Sequence, residues 1–312
     1  MRKIGLFFLS CLFTYSTLYA QEHKVFHTSI CYDFLSSIQN YESVLDNVNE
    51  FSSLRKDTTF LSAVTTVNEL VRASHLCNAY SIYPTDKENV EACISYFEKL
   101  DIENLPDGYQ GKYLENIFQV KSDILYILNK LKNAGYEDYW HKSVYPKLKA
   151  AIDSYTFEEG LLDNIHNEID RMAGGESLNE EYSKIYILDI DNAFALNDET
   201  FCCTYLLLDK EMAKQYRINF IQVYIHENLH RLYLCPELIS QLDYLMSDEF
   251  YKKNELKAID FGEGGNEAFV VAAETFISYK LGLKKQADVY TEFAEYIDGS
   301  LVLAPIIYIY LN

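Results

Sequence analysis

The chain has 312 residues, enough for one large domain or two of ordinary size with a substantial buried core. Its 49% hydrophobic and 24% charged residues are ordinary for a globular protein and argue against a disordered chain. The formal charge of −20 repels phosphate backbones and anionic lipid, which argues against nucleic acid as a partner and is compatible with a neutral or basic ligand.

The N-terminus reads as a secretory signal. Arg2 and Lys3 make a short positive start, residues 4–18 form an apolar run, and Tyr19-Ala20 precede the polar Gln21-Glu22-His23. Cleavage after Ala20 takes the formal charge from −20 to −22, because Arg2 and Lys3 leave with the signal. The expected location is the periplasm, the cell surface or the medium. The run is too short for a membrane span, and Cys11 lies inside it rather than just after it, which disfavours a lipid anchor. Residues 301–311 are apolar but short and contain Pro305, so they read as a buried C-terminal strand or helix rather than a transmembrane segment.

Residues 28–174 read as helix after helix. In 58–80, 87–100, 113–134 and 144–173 apolar residues recur at three- and four-residue steps, as in Phe60, Leu61, Val64, Val67, Leu70 and Val71. Pro84, Pro106-Asp107-Gly108 and Gly135 punctuate the series and Gly174-Gly175 ends it. The pattern then changes. Residues 184–190 and 200–208 are strand candidates, with 192–199 as the turn between them. A long helix is expected over 212–234, its core stripe being Ile218, Ile221, Ile225, Leu229 and Leu232, with Pro236 stopping it. A polar helical part runs to Asp260, 262–265 is a loop, and 266–281 is another helix. The expected class is α+β and predominantly helical, with a helical region over 21–174 and a second domain, carrying a small sheet, over 175–312.

Of seven cysteines, six follow the signal: Cys31, Cys77, Cys93, Cys202, Cys203 and Cys235. Export permits disulfides without requiring them, so bridges and buried free thiols both stand. No Cys-x-x-Cys pair occurs, which argues against a cysteine-bound zinc.

The residues that carry chemistry are His226-Glu227-Asn228-Leu229-His230. Histidines four apart on a helix share a face and reach the same ion, here expected to be Zn2+. Glu227, beside the first ligand, is the candidate catalytic base toward a metal-bound water. A catalytic zinc needs a third ligand, and no histidine follows His230. An acidic residue must serve, unless the chain reaches back to His166 or His141. From Ala268 to Ile277 the downstream helix is apolar on nearly every side, so Glu267 and Glu274 are its buried carboxylates, and buried carboxylates need partners. Glu267 is the favoured ligand. Glu274, two turns on along the same face, is a candidate to orient a zinc histidine. Glu263 is the rival ligand.

The sequence from His226 to His230, followed by Asn266-Glu267-Ala268 on a later helix, resembles the gluzincin branch of the zincin metallopeptidases. With Pro236 and the Asn-Glu-x-x-Val start it is also similar to a peptidase-MA-like family of unknown function in exported bacterial proteins. The resemblance covers about residues 184–281. It implies zinc held by His226, His230 and Glu267, Glu227 as general base, and hydrolysis of peptide or protein substrates. It further implies a small sheet whose edge strand, here 201–208, lies over the active-site helix and pairs with substrate. Two other functions remain open on the residues alone: a non-catalytic binding module for glycan or protein with a vestigial or structural metal, and a helical surface protein without metal.

Overall fold

The computed structural model describes residues 25–47, 51–83, 85–101, 103, 105, 112–155, 157–158, 160–174, 184–191, 193–196, 201–208, 214–230, 232, 236–260 and 265–312. The signal-like run with Cys11, and Pro84, Pro106-Asp107-Gly108, Arg231, Cys235 and Glu263, lie outside them. The described residues form an α+β structure that is mostly helical, with one four-stranded mixed sheet. No described helix is long and apolar enough to cross a membrane. The chain forms two compact units, each built from two stretches: residues 1–156 with 183–212, and 157–182 with 213–312. Residue 174 falls inside the first stretch of the second unit.

The first unit contains β1 (Phe26–His27), α1 (Ile30–Ser36), α2 (Tyr41–Asn47), α3 (Thr58–Leu70), α4 (Ala73–Ser81), α5 (Val90–Lys99), α6 (Lys112–Gln119), α7 (Lys121–Asn133), α8 (Tyr136–Tyr139), α9 (Tyr145–Ser154), β2 (Ile185–Leu188), β3 (Ala193–Ala195) and β4 (Phe201–Thr204). The strand order is β1-β2-β4-β3. β2 runs parallel to β1 and to β4, with Ile185 opposite Phe26 and Phe201, while β3 lies antiparallel on β4. All four residues of β2 and of β4 are buried, which is why both read as continuous apolar runs without alternation. β4 is therefore an interior strand and not the expected edge. Residues 193–195, expected as turn, supply the strand that covers its other side.

The long helices expected over 58–80, 113–134 and 144–173 are each divided. Val71 takes an extended conformation, Val120 leaves the helical region, and Tyr155 is extended before Gly160 turns left-handed at φ 75°. These three break residues are themselves buried, so the apolar periodicity continues through each change of direction and does not register it. At the first break the His75 ring accepts the Arg72 N–H and so starts α4.

α1 is wholly buried. Its Asp33 accepts hydrogen bonds from the Trp140 indole and from the Asp189 backbone, each 2.8 Å, joining three parts of the unit. Burial raises the Asp33 carboxyl to about 7, against the pull of the Trp140 and Asp189 N–H groups. Cys31, Cys77 and Cys93 are buried free thiols, and Cys202 and Cys203 are buried in β4.

The second unit contains α10 (Leu161–Met172), α11 (Lys214–Leu229), α12 (Pro236–Leu245), α13 (Glu249–Asp260), α14 (Glu267–Lys280), α15 (Gln286–Glu295) and α16 (Ala304–Leu311). α11 ends at Leu229, short of 234, and Pro236 opens α12 rather than stopping α11. Proline at a first helical position gives up an N–H that has no intrahelical partner anyway. α14 is the centre of this unit: ten of its fourteen residues are buried, so it has almost no polar face. It packs against α11 and α16. Tyr308 of α16 meets Phe276 and Phe293 edge-on. The apolar C-terminal run is thus a helix, but a half-buried one. Ala304 and Tyr308 face inward, and Ile306, Ile309 and Tyr310 are exposed.

Candidate metal centre

α11 and α14 together bring three ligating side chains to one place. His226 lies on the last turn of α11, and His230 follows with its N–H still bonded to the His226 carbonyl at 3.3 Å. The four-residue spacing survives the helix end, and the two Nε2 atoms stand 3.2 Å apart. The ring planes are inclined at 74°. Leu229 and Ile225, fully buried on the same helix, hold it in the core.

Glu267 is the first residue of α14. The chain enters this helix through Gly265 at φ 69°, a left-handed conformation that favours glycine, and the Gly265 N–H donates to Glu255 at 2.9 Å. The turn delivers Glu267 to the histidines with only 2% of its surface exposed. Its Oε1 lies 3.4 Å from His226 Nε2 and its Oε2 3.3 Å from His230 Nε2. The Tyr296 hydroxyl donates to Oε1 at 2.8 Å. A helix N-terminus offsets a carboxylate by only about 0.3–1 kcal/mol, so a carboxylate this buried requires such partners.

Burial, and then the neighbouring His230, push His226 down to about 3; burial also lowers His230. Both rings are therefore uncharged at neutral pH. The two contacts to Glu267 are accordingly not ion pairs, and at 3.3–3.4 Å they are longer than good hydrogen bonds. Two imidazole nitrogens and a carboxylate turned toward one point form a donor set for a divalent cation. Ligand atoms from His226, His230 and Glu267 all lie within 4.8 Å of one another, and no further described acidic, histidine or cysteine side chain joins them.

Glu227 follows His226 on α11 and is half-buried. Glu274 is buried in α14, but its partners are Gln222, Ser278 and Lys284, and neither histidine is among them. It ties α14 back to α11 through Gln222, one helical turn before His226. Burial raises its carboxyl, against the pull of Lys284, Ser278 and Gln222. His166 is buried against the Tyr224 hydroxyl at 2.6 Å, and His141 is exposed in the first unit, so neither joins the cluster.

Three contributors were not legible in the residue pattern. Gln222 sits four residues before His226, and that spacing is a usable signal. Lys284 and Tyr296 carry none, because each reaches the site only through the fold. No family model, curated protein or solved structure matches the chain. The resemblance to gluzincins therefore rests on the motif residues alone.

Proposed function

We propose that the chain is an exported zinc peptidase, with zinc held by His226, His230 and Glu267, and with Glu227 as general base. The supporting observation is the ligand spacing. Bonds of about 2.0–2.1 Å at tetrahedral angles put neighbouring ligand atoms roughly 3.3–3.4 Å apart. Here the two histidine Nε2 atoms stand 3.2 Å apart, and the Glu267 carboxylate meets them with different oxygens, Oε1 at 3.4 Å from His226 and Oε2 at 3.3 Å from His230. Three protein ligands of the His, His and Glu type characterise catalytic zinc, whereas structural zinc takes four.

When bound, zinc supplies Lewis acidity and brings the pKa of water near 7. The protein's part follows from its own residues. The uncharged rings of His226 and His230 offer nitrogen lone pairs, and Glu267 supplies one negative charge. Glu227 takes a proton from the attacking water and returns it to the departing amine of the peptide. Glu263, outside the described residues, is the alternative third ligand. Export follows from the signal-like N-terminus, and mature protein beginning at Gln21 would support it.

The test uses purified protein, zinc and a quenched-fluorescence peptide library. Wild type is expected to bind one zinc and cleave. Glu227→Gln should keep the zinc and lose about 10²–10⁴-fold in hydrolysis. A Glu227→Gln protein as active as wild type would remove Glu227 from the mechanism. Failure to bind zinc would end the reading, and zinc binding without hydrolysis would favour a binding module.

A further inference from the structure

Tyr296 ends α15: its backbone N–H closes that helix on the Glu292 carbonyl, and its hydroxyl crosses to Glu267 Oε1 at 2.8 Å. The two residues after it are Ile297 (φ 47°) and Asp298 (φ 50°), the two non-glycine residues with positive φ among those described. A β-branched residue in the left-handed region is a conformational outlier, and such residues persist only where their surroundings impose them. Here the surroundings are visible. Lys257 of α13 pairs with the Asp298 carboxylate at 3.1 Å. The N–H and hydroxyl of Ser300, itself buried, both bond the Ile297 carbonyl. Gly299 follows at φ 70°, so close to the Ala294 carbonyl that an added Cβ would stand 3.3 Å from its oxygen. The left-handed turn thus directly follows α15, beside the residue whose phenol reaches Glu267.

We infer that Tyr296 is a positioning residue for the metal ligand Glu267, aimed by this left-handed turn; the inference rests on the zinc-site reading above. A carboxylate at the end of a side chain rotates in a broad two-fold well. The phenol donates to Oε1 and limits that rotation, which keeps Oε2 beside His230. Outer partners of this kind orient metal ligands, and their loss costs about 10–100-fold in metal affinity.

The experiment measures zinc affinity of the full chain by competition with a chromophoric chelator, together with the visible spectrum of the cobalt-substituted protein. Tyr296→Phe removes only the hydroxyl. It is expected to weaken zinc about 10–100-fold and to change the cobalt bands, which report ligand geometry. Lys257→Ala, which loosens the turn and leaves the phenol in place, should weaken zinc by a smaller factor. A purely structural role would lower the melting temperature of the metal-free protein while leaving affinity and spectrum as in wild type, and that result overturns the inference. If wild type itself binds no zinc, the site reading falls first. If wild type binds zinc and both variants equal it, only the role of Tyr296 falls.

Discussion

The Lys284 ammonium lies 3.9 Å from the Glu274 carboxylate, and both side chains are 7% exposed. This buried pair, with Glu292 also contacting Lys284, sits where α14 meets α11 through Gln222. Removing one partner of a buried ion pair strands the other, at a cost of about 3–5 kcal/mol, whereas removing both is often close to neutral. Lys284→Met should therefore lower the stability of the second unit by several kcal/mol. The double change with Glu274→Gln should recover much of that loss. Thermal unfolding of both proteins decides it, and a double variant weaker than the sum of the single variants would contradict the pairing.

Metal addition should stabilise the second unit. Zinc at about 100 times its dissociation constant adds ~2.7 kcal/mol if it binds only the folded state. A melting temperature that rises by several degrees with zinc, and falls back with chelator, is the expected result for wild type. His226→Ala and Glu267→Gln should each show little or no rise. An equal rise in those variants would place the ion elsewhere.

The left-handed turn makes two opposite substitutions informative. Ile297→Gly relieves a conformation that costs about 1–3 kcal/mol for a residue with a β-branch, and should raise stability by about 1 kcal/mol. Gly299→Ala places a methyl group 3.3 Å from the Ala294 carbonyl oxygen at φ 70° and should lower it. Melting curves of the two variants moving in the same direction would count against the turn.

Asp33 gives the first unit a pH dependence. Its carboxyl lies at about 7 in the fold against an ordinary value of 3.8. Between those values the folded state binds the extra proton, so stability is greatest at the acid end and declines as pH rises through the window. The loss by pH 8 is on the order of 4 kcal/mol. Asp189, 2.8 Å from Asp33 through its backbone N–H, and Lys147, paired with Asp189, are the charges that face it. Asp33→Asn loses a hydrogen bond and lowers stability near pH 5, but its unfolding midpoint should vary less with pH than that of wild type. Parallel pH profiles for the two proteins would remove Asp33 as the source.

Local spacing carried the histidine pair. Residues four apart on a helix meet whatever surrounds them, and the four-residue step places His226 beside His230. The apolar sequence around Glu267 and Glu274 likewise implied their burial, because a helix without a polar face has only the core to occupy. The same logic failed at Val71, Val120 and Tyr155. Those residues are buried inside a break, and periodicity records burial rather than direction.

Other features depended on contacts between residues far apart in the chain. Residues 193–195 become a strand only because β4 offers them its backbone, and this makes β4 interior. Glu274 faces Gln222 and Lys284 rather than a histidine, since the rotation of α14 against α11 is set by packing. Tyr296 reaches Glu267 across 29 positions, and the two residues just after it are left-handed, one of them the β-branched Ile297 that local propensity disfavours. Short-range geometry and burial follow from the order of residues along the chain. Strand order, side-chain partners and backbone strain follow from long-range packing, which alone can stabilise a conformation that the local sequence disfavours.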